Sequence, residues 1–185
     1  MDFFALLLQR INTFLSNPAT LETFVNNRFL MILLVIVLLK LKYKTYTSIY
    51  LSALVNIPGT FLHEMSHFIV GLLLNAHPTR FDFFPKKQGD SYVMGSVSFR
   101  NTKFYNALPA ALAPLLLLIV GYYFNRWFFL NVEVTYISYI LYILLQTVII
   151  ENAVPSSQDF KVAFSYPLGL LLYGALLVFA VVYLA

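Results

Sequence analysis

The sequence predicts an all-α polytopic membrane protein of about five transmembrane helices, with an N-terminal interfacial helix and a small β-hairpin. Three observations predict it. Of 185 residues, 60% are hydrophobic and 11% charged, with a mean hydropathy of +0.77. Soluble domains lie nearer half apolar and a quarter charged. The apolar residues gather in runs close to the ~20 residues that cross hydrocarbon. One stretch, residues 77–104, instead alternates polar and apolar side chains.

Residues 3–15, "FFALLLQRINTFL", are apolar but too short to span, which suits a helix lying in the interface. "SNPAT" breaks the pattern, with Asn17 or Thr20 placed to cap the next helix. Residues 21–41 make a first span, with Lys40, Lys42 and Lys44 at its end. Residues 46–76 exceed one span and carry Asn56, Pro58 and Gly59, so a kink or break is expected at Pro-Gly. In "SYVMGSVSF", Tyr92, Met94, Ser96 and Ser98 alternate with Val93, Gly95, Val97 and Phe99. With "KKQGD" as the turn, residues 79–85 and 91–100 read as a hairpin. Further spans are expected at 107–124, 132–150 and 167–184, the last two separated by "ENAVPSSQDFKVAFSY".

Together these elements read as a single membrane-embedded domain over residues 1–185, its core about 46–166. The absence of cysteine excludes disulfide and thiolate chemistry. No basic stripe offers a nucleic-acid surface. "MDFFALLLQR" has neither a basic n-region nor a cleavage site, so no removable signal is expected. If each run crosses once, Arg10, Arg80, Lys86, Lys87, Arg100, Lys103 and Lys161 share one side. Lys40, Lys42, Lys44 and Arg126 share the other. The positive-inside rule then puts the hairpin in the cytoplasm, as expected for an integral protein of a bacterial cytoplasmic membrane. "YGALL", around Gly174, offers one small residue for close helix packing, too little to assign an oligomeric state.

"FLHEMSHFIV", residues 61–70, carries the chemistry. Ionisable groups at membrane depth cost at least ~2.5 kcal/mol each and are functional by default. His63 and His67 lie one helical turn apart on one face, a spacing that can grip one zinc ion. Glu64, beside the first ligand, can take a proton from a water on the ion and return it to a leaving amine. A pair of buried histidines hydrogen-bonded in a helix bundle is the plainer alternative. A catalytic zinc keeps one position open, so one more protein ligand is needed, and no cysteine can supply it. His77 lies beyond the helix end, and Asp2, Glu22, Asp82 and Asp90 sit in polar or terminal stretches. Of Glu133, Glu151 and Asp159, the first suits a helix start. Spacing alone leaves Glu151 and Asp159 level.

These residues resemble the site-2 protease family of intramembrane zinc metalloproteases. His63-Glu64-Met65-Ser66-His67 within an apolar helix is one match. "NAVPSSQD", residues 152–159, is similar to the family's Asn-x-x-Pro…Asp motif, and "ALAPLLLL", residues 111–118, to its small-residue-plus-Pro motif. The likeness covers about residues 56–161. Phe160 and Ala113 stand where glycine is usual in that family, and the Asn-to-Asp spacing is one residue short. The resemblance implies that Asp159 is the third zinc ligand, that Asn152 helps position substrate, and that Pro155 keeps its place in the motif. It implies a zinc endopeptidase acting on membrane-spanning proteins, with one zinc in each chain.

An unwound substrate could pair with the hairpin edge near Gly95 and Val97, the glycine permitting close backbone approach. The alternative from a different class is a pseudoprotease that holds client membrane proteins without cutting them. A metal-ion transporter would need more polar residues on the facing helices than the sequence has.

Overall fold

The structure is a computed structural model that describes residues 3–89 and 91–184. Asp2, and Asp90 of the expected turn, lie outside the described residues. In chain order the elements are α1 (Phe3–Leu15), α2 (Pro18–Asn26), α3 (Arg28–Lys44), α4 (Ile49–Leu73), β1 (Pro78–Asp82), β2 (Lys86–Gln88), β3 (Ser91–Val93), β4 (Ser96–Phe99), α5 (Phe104–Ala111), α6 (Leu116–Asn131), α7 (Tyr136–Glu151), α8 (Ser157–Phe164) and α9 (Pro167–Leu184). The protein is mostly helical with a small β element, as composition and alternation predict.

Membrane-spanning capacity is narrower than the apolar runs suggest. Among the described residues one segment, Ala113–Asn131, is long and apolar enough to cross. Up to 3 spans result if the bent pairs Pro18–Asn26 with Arg28–Thr47 (72°) and Ser157–Phe164 with Pro167–Tyr183 (91°) each count as one. Single residues make the difference. Asn27 divides the first run: its N–H donates to Thr23 O and closes α2, while its side chain accepts from Phe29 N and Leu30 N and opens α3. Pro114 divides the run at 107–124 into α5, a short 3-10 turn and α6. Conversely, α4 runs unbroken for 25 residues with Pro58 inside it, so the expected break is absent. A proline removes one donor and crowds one carbonyl, which a well-packed helix can absorb locally.

The hairpin forms in two ladders. β1 pairs with β4 (Arg80↔Ser98, Phe81↔Val97, Asp82↔Ser96), and β2 with β3 (Lys86↔Val93, Lys87↔Tyr92). The hairpin exists with a correction: residues 83–85, expected as strand, are unpaired, Lys86–Gln88 of the expected turn form β2, and pairing lapses again at 94–95. Pro85 has no N–H to give a ladder. Gly89, at φ +62, provides the turn. The β1–β4 ladder sits on α4 through Phe81, whose ring lies 5.9 Å from Phe61 and 5.7 Å from Phe68. On the hairpin's exposed face, a hydrogen bond from Lys86, with Arg80 alongside, holds the Asp82 carboxyl below the ordinary carboxylate range.

Two assemblies fix the helices. Phe128, Tyr139, Tyr142 and Ile143 form a buried cluster against residues of α2 and α3, and Tyr139 Oη donates to Val25 O at 3.1 Å. Asn106 at the start of α5 is fully buried. It accepts from Lys103 N and donates to Asn101 O and Leu74 O, tying the end of α4 to the exit of the hairpin. Gly169 of α9 meets the α5 backbone so closely that a Cβ there would lie 2.2 Å from Phe104 O. Gly174, by contrast, has nothing within 4 Å of such a Cβ among the described residues, so it packs no helix here. Gly169→Ala is therefore expected to lower stability by about 1–3 kcal/mol through overpacking. Gly174→Ala should be neutral or raise it by up to about 1 kcal/mol. Unfolding of the two variants in one detergent checks both.

Candidate metal centre

α4 brings His63 and His67 to one face, and their Nε2 atoms lie 3.2 Å apart. Asp159 arrives from α8. Ser156 caps that helix: its Oγ accepts from Asp159 N at 3.2 Å, and its N–H donates to Asp159 Oδ2 at 2.6 Å. This reciprocal cap aims the carboxylate at the histidines. Asp159 Oδ2 lies 3.3 Å from His63 Nε2, and Oδ1 lies 3.2 Å from His67 Nε2.

The outer sides of both rings decide what the inner sides can be. His63 Nδ1 is 2.8 Å from Asn152 O, and His67 Nδ1 is 2.7 Å from Ala110 O. A backbone carbonyl only accepts, so each Nδ1 donates. In a neutral ring that leaves Nε2 as a bare lone pair. Two lone pairs and a carboxylate thus converge on one point. For metal bonds of 2.0–2.1 Å, a tetrahedral zinc site has ligand-to-ligand edges of about 3.3–3.4 Å. The observed edges of 3.2, 3.2 and 3.3 Å suit that figure. The three residues could hold a metal ion.

The acids left open by spacing are separated by the fold. Glu151 does not join the cluster; it takes the ammonium of Lys42 at 2.7 Å, in a partly buried pair. Glu133 is exposed. His77 is exposed as well, with φ 50 just past the end of α4.

The cluster opens on a cavity of about 730 Å³, whose lining includes Glu64, Gly95, Val97 and Asn152. Glu64 is 7% exposed, and its carboxylate has no hydrogen-bond partner among the described residues. The β3–β4 junction lies directly over it: a Cβ on Gly95 would come within 2.8 Å of Glu64 Cγ and Oε1. Only glycine allows the chain so near.

Asn152 lines the cavity, but its side-chain amide donates to Val148 O at 2.8 Å, within its own helix. It also fills the space beside Gly59, where a Cβ would lie 2.1 Å from Asn152 Nδ2. Its direct service to the cluster is the carbonyl that holds His63.

Sequence reasoning missed the roles of Gly59, Asn106 and Ala110, which become visible only when distant segments meet. The role of Ser156 was legible in part, because Ser-x-x-Asp is a capping-box pattern. Comparison of the chain with protein-family models, with curated proteins and with solved structures finds no match.

The geometry tests which acid belongs to the cluster. Metal retained by the purified protein, read by elemental analysis, is expected to fall on Asp159→Ala and to persist on Glu151→Ala. The reverse pattern would return the third position to Glu151.

Proposed function

We propose that the protein is an integral membrane zinc endopeptidase, similar in its site to the site-2 proteases, that hydrolyses peptide bonds of membrane-spanning proteins. The observation that carries this reading is the meeting of His63, His67 and Asp159 beside an uncommitted Glu64 in one cavity. On this reading the chain crosses a bacterial cytoplasmic membrane about five times, with the hairpin on the cytoplasmic side. Support comes from the rows of exposed Leu, Ile, Val and Phe on α3, α6 and α9, a surface that lipid would cover.

His63, His67 and Asp159 would hold the zinc. Bound there, it would supply Lewis-acid polarisation of a carbonyl and lower the pKa of water toward ~7. Glu64 would accept the proton of the attacking water and deliver it to the departing amine. Its free carboxylate oxygens suit a group that must exchange protons. The backbone at Gly95 and Val97 would offer main-chain partners to an unwound substrate. The cavity walls would hold that segment away from lipid.

One observation favours the second reading, a non-catalytic holder of membrane clients: Asn152 turns its amide into its own helix rather than into the cavity.

Glu64→Gln separates the two. The variant is expected to keep its metal and to lose at least about 100-fold in cleavage rate, the usual contribution of a general base. Undiminished turnover would remove Glu64 as the base. A wild-type protein that holds zinc, binds membrane helices and cuts none of them would support the holder. A further variant, Gly95→Val, is expected to displace the junction from Glu64 and Thr60, against which a Cβ already falls at 2.8 and 2.5 Å. Its mark should be a raised KM or lost cleavage without loss of metal.

A further inference from the structure

The two carbonyls that hold the histidines have something in common. Within α5, the regular α-helical donor to Ala110 O would be the N–H of residue 114. Residue 114 is proline and has none. Ala110 O accepts from His67 Nδ1 instead. At the end of α7, Asn152 O could accept from residue 155 in a 3-10 turn or from residue 156 in an α-turn. Residue 155 is also proline. The N–H of Ser156 is turned to Asp159 Oδ2. Asn152 O accepts from His63 Nδ1.

The same device occurs away from the site. Pro109 leaves Tyr105 O without its helical donor, and Tyr173 Oη of α9 donates to that carbonyl.

We propose that Pro114 and Pro155 are positioning residues. Each withholds an N–H from one carbonyl, reserving that carbonyl for the Nδ1–H of one histidine and so turning that ring's Nε2 lone pair to the cluster. Pro114 acts on His67 and Pro155 on His63. The claim deepens the metal-centre reading and, for its effect on zinc, rests on it. The physical reason is competition. A restored backbone N–H at either position would have a nearby carbonyl to join, and the ring would lose a partner that fixes both its tautomer and its tilt. Outer partners of metal-binding histidines are worth about 10- to 100-fold in metal affinity.

The experiment has two readouts. In metal-free protein with neutral rings, ¹⁵N NMR of the imidazoles reports which nitrogen bears hydrogen. The wild type is expected to show Nδ1–H on both rings. Pro114→Ala should shift His67 toward the other tautomer and leave His63 unchanged; Pro155→Ala should do the converse. Zinc affinity, by competition with a chelator, should fall about 10- to 100-fold in each. Pro109→Ala is the matched control, and it should loosen α9 while leaving both rings and the zinc affinity as they are.

Wild-type rings protonated at Nε2 overturn the proposal. So does a variant that leaves both rings and the affinity untouched, or one that disturbs both rings alike, which marks general loosening. If one variant fails to fold, the other decides. A wild type that takes no zinc removes the metal reading, while the tautomer comparison still decides the role of the prolines.

Discussion

Three groups that only accept hydrogen bonds on their inner sides face one another across 3.2–3.3 Å, two imidazole nitrogens and a carboxylate. Neighbouring lone pairs repel, and a low dielectric strengthens the repulsion. Such a meeting is stable only around positive charge, whether a metal ion or shared protons. The rest of the fold answers to that demand. α4 supplies two acceptors at one pitch. The ends of α5 and α7 supply the carbonyls that turn them inward. The cap of α8 supplies the third acceptor. Asn106, fully buried where the hairpin leaves for α5, holds the end of α4 against the start of α5.

What the sequence made legible was local. His63, Glu64 and His67 lie within five residues, and helical pitch alone places them. Alternation in residues 91–99 likewise marked a hairpin, because side-chain period is a local property. What stayed illegible required contacts across the chain. By spacing alone Glu151 and Asp159 were level as ligands, and only the resemblance favoured Asp159; in the fold Lys42, 109 residues from Glu151, claims Glu151. Nothing near Glu151 in the sequence announces that pairing. The resemblance gave Asn152 a part in positioning substrate, but its contact with the cluster is made by its backbone carbonyl, and a motif shows only side chains.

The apolar runs illustrate a different limit. Hydropathy averages over a window, so one residue that reverses the backbone barely moves it. Asn27 caps two helices at once and turns a single run into a pair bent by 72°. Pro114 sits in the short 3-10 turn between α5 and α6 in the run at 107–124. Pro58 breaks nothing. Proline forbids a donor, but whether the chain turns depends on what else that carbonyl can find. Beside Ala110 a histidine waits, and the helix ends one residue later. The ladder lapse at Gly95 has the same logic. Backbone that pairs with nothing in the sheet is backbone held against Thr60 and Glu64.

The acids around the cavity can be sorted by what holds their oxygens. Asp159 gives one oxygen to Ser156 N–H and turns both toward the rings. Glu151 is held by Lys42. Both are committed, and a committed carboxylate binds charge well but exchanges protons poorly. Glu64 is nearly buried, yet no donor among the described residues meets its oxygens. Its oxygens are not among the fully enclosed unpaired polar atoms, which among the described residues are Tyr136 Oη and Gln146 Oε1, so they face the cavity. A cavity of about 730 Å³ has room for water at that carboxylate. Water is the one partner that supplies a hydrogen bond and can later surrender its proton. On the proposed reading, Glu64 has been left free for that proton, and the close passage of Gly95 keeps other side chains from taking the place.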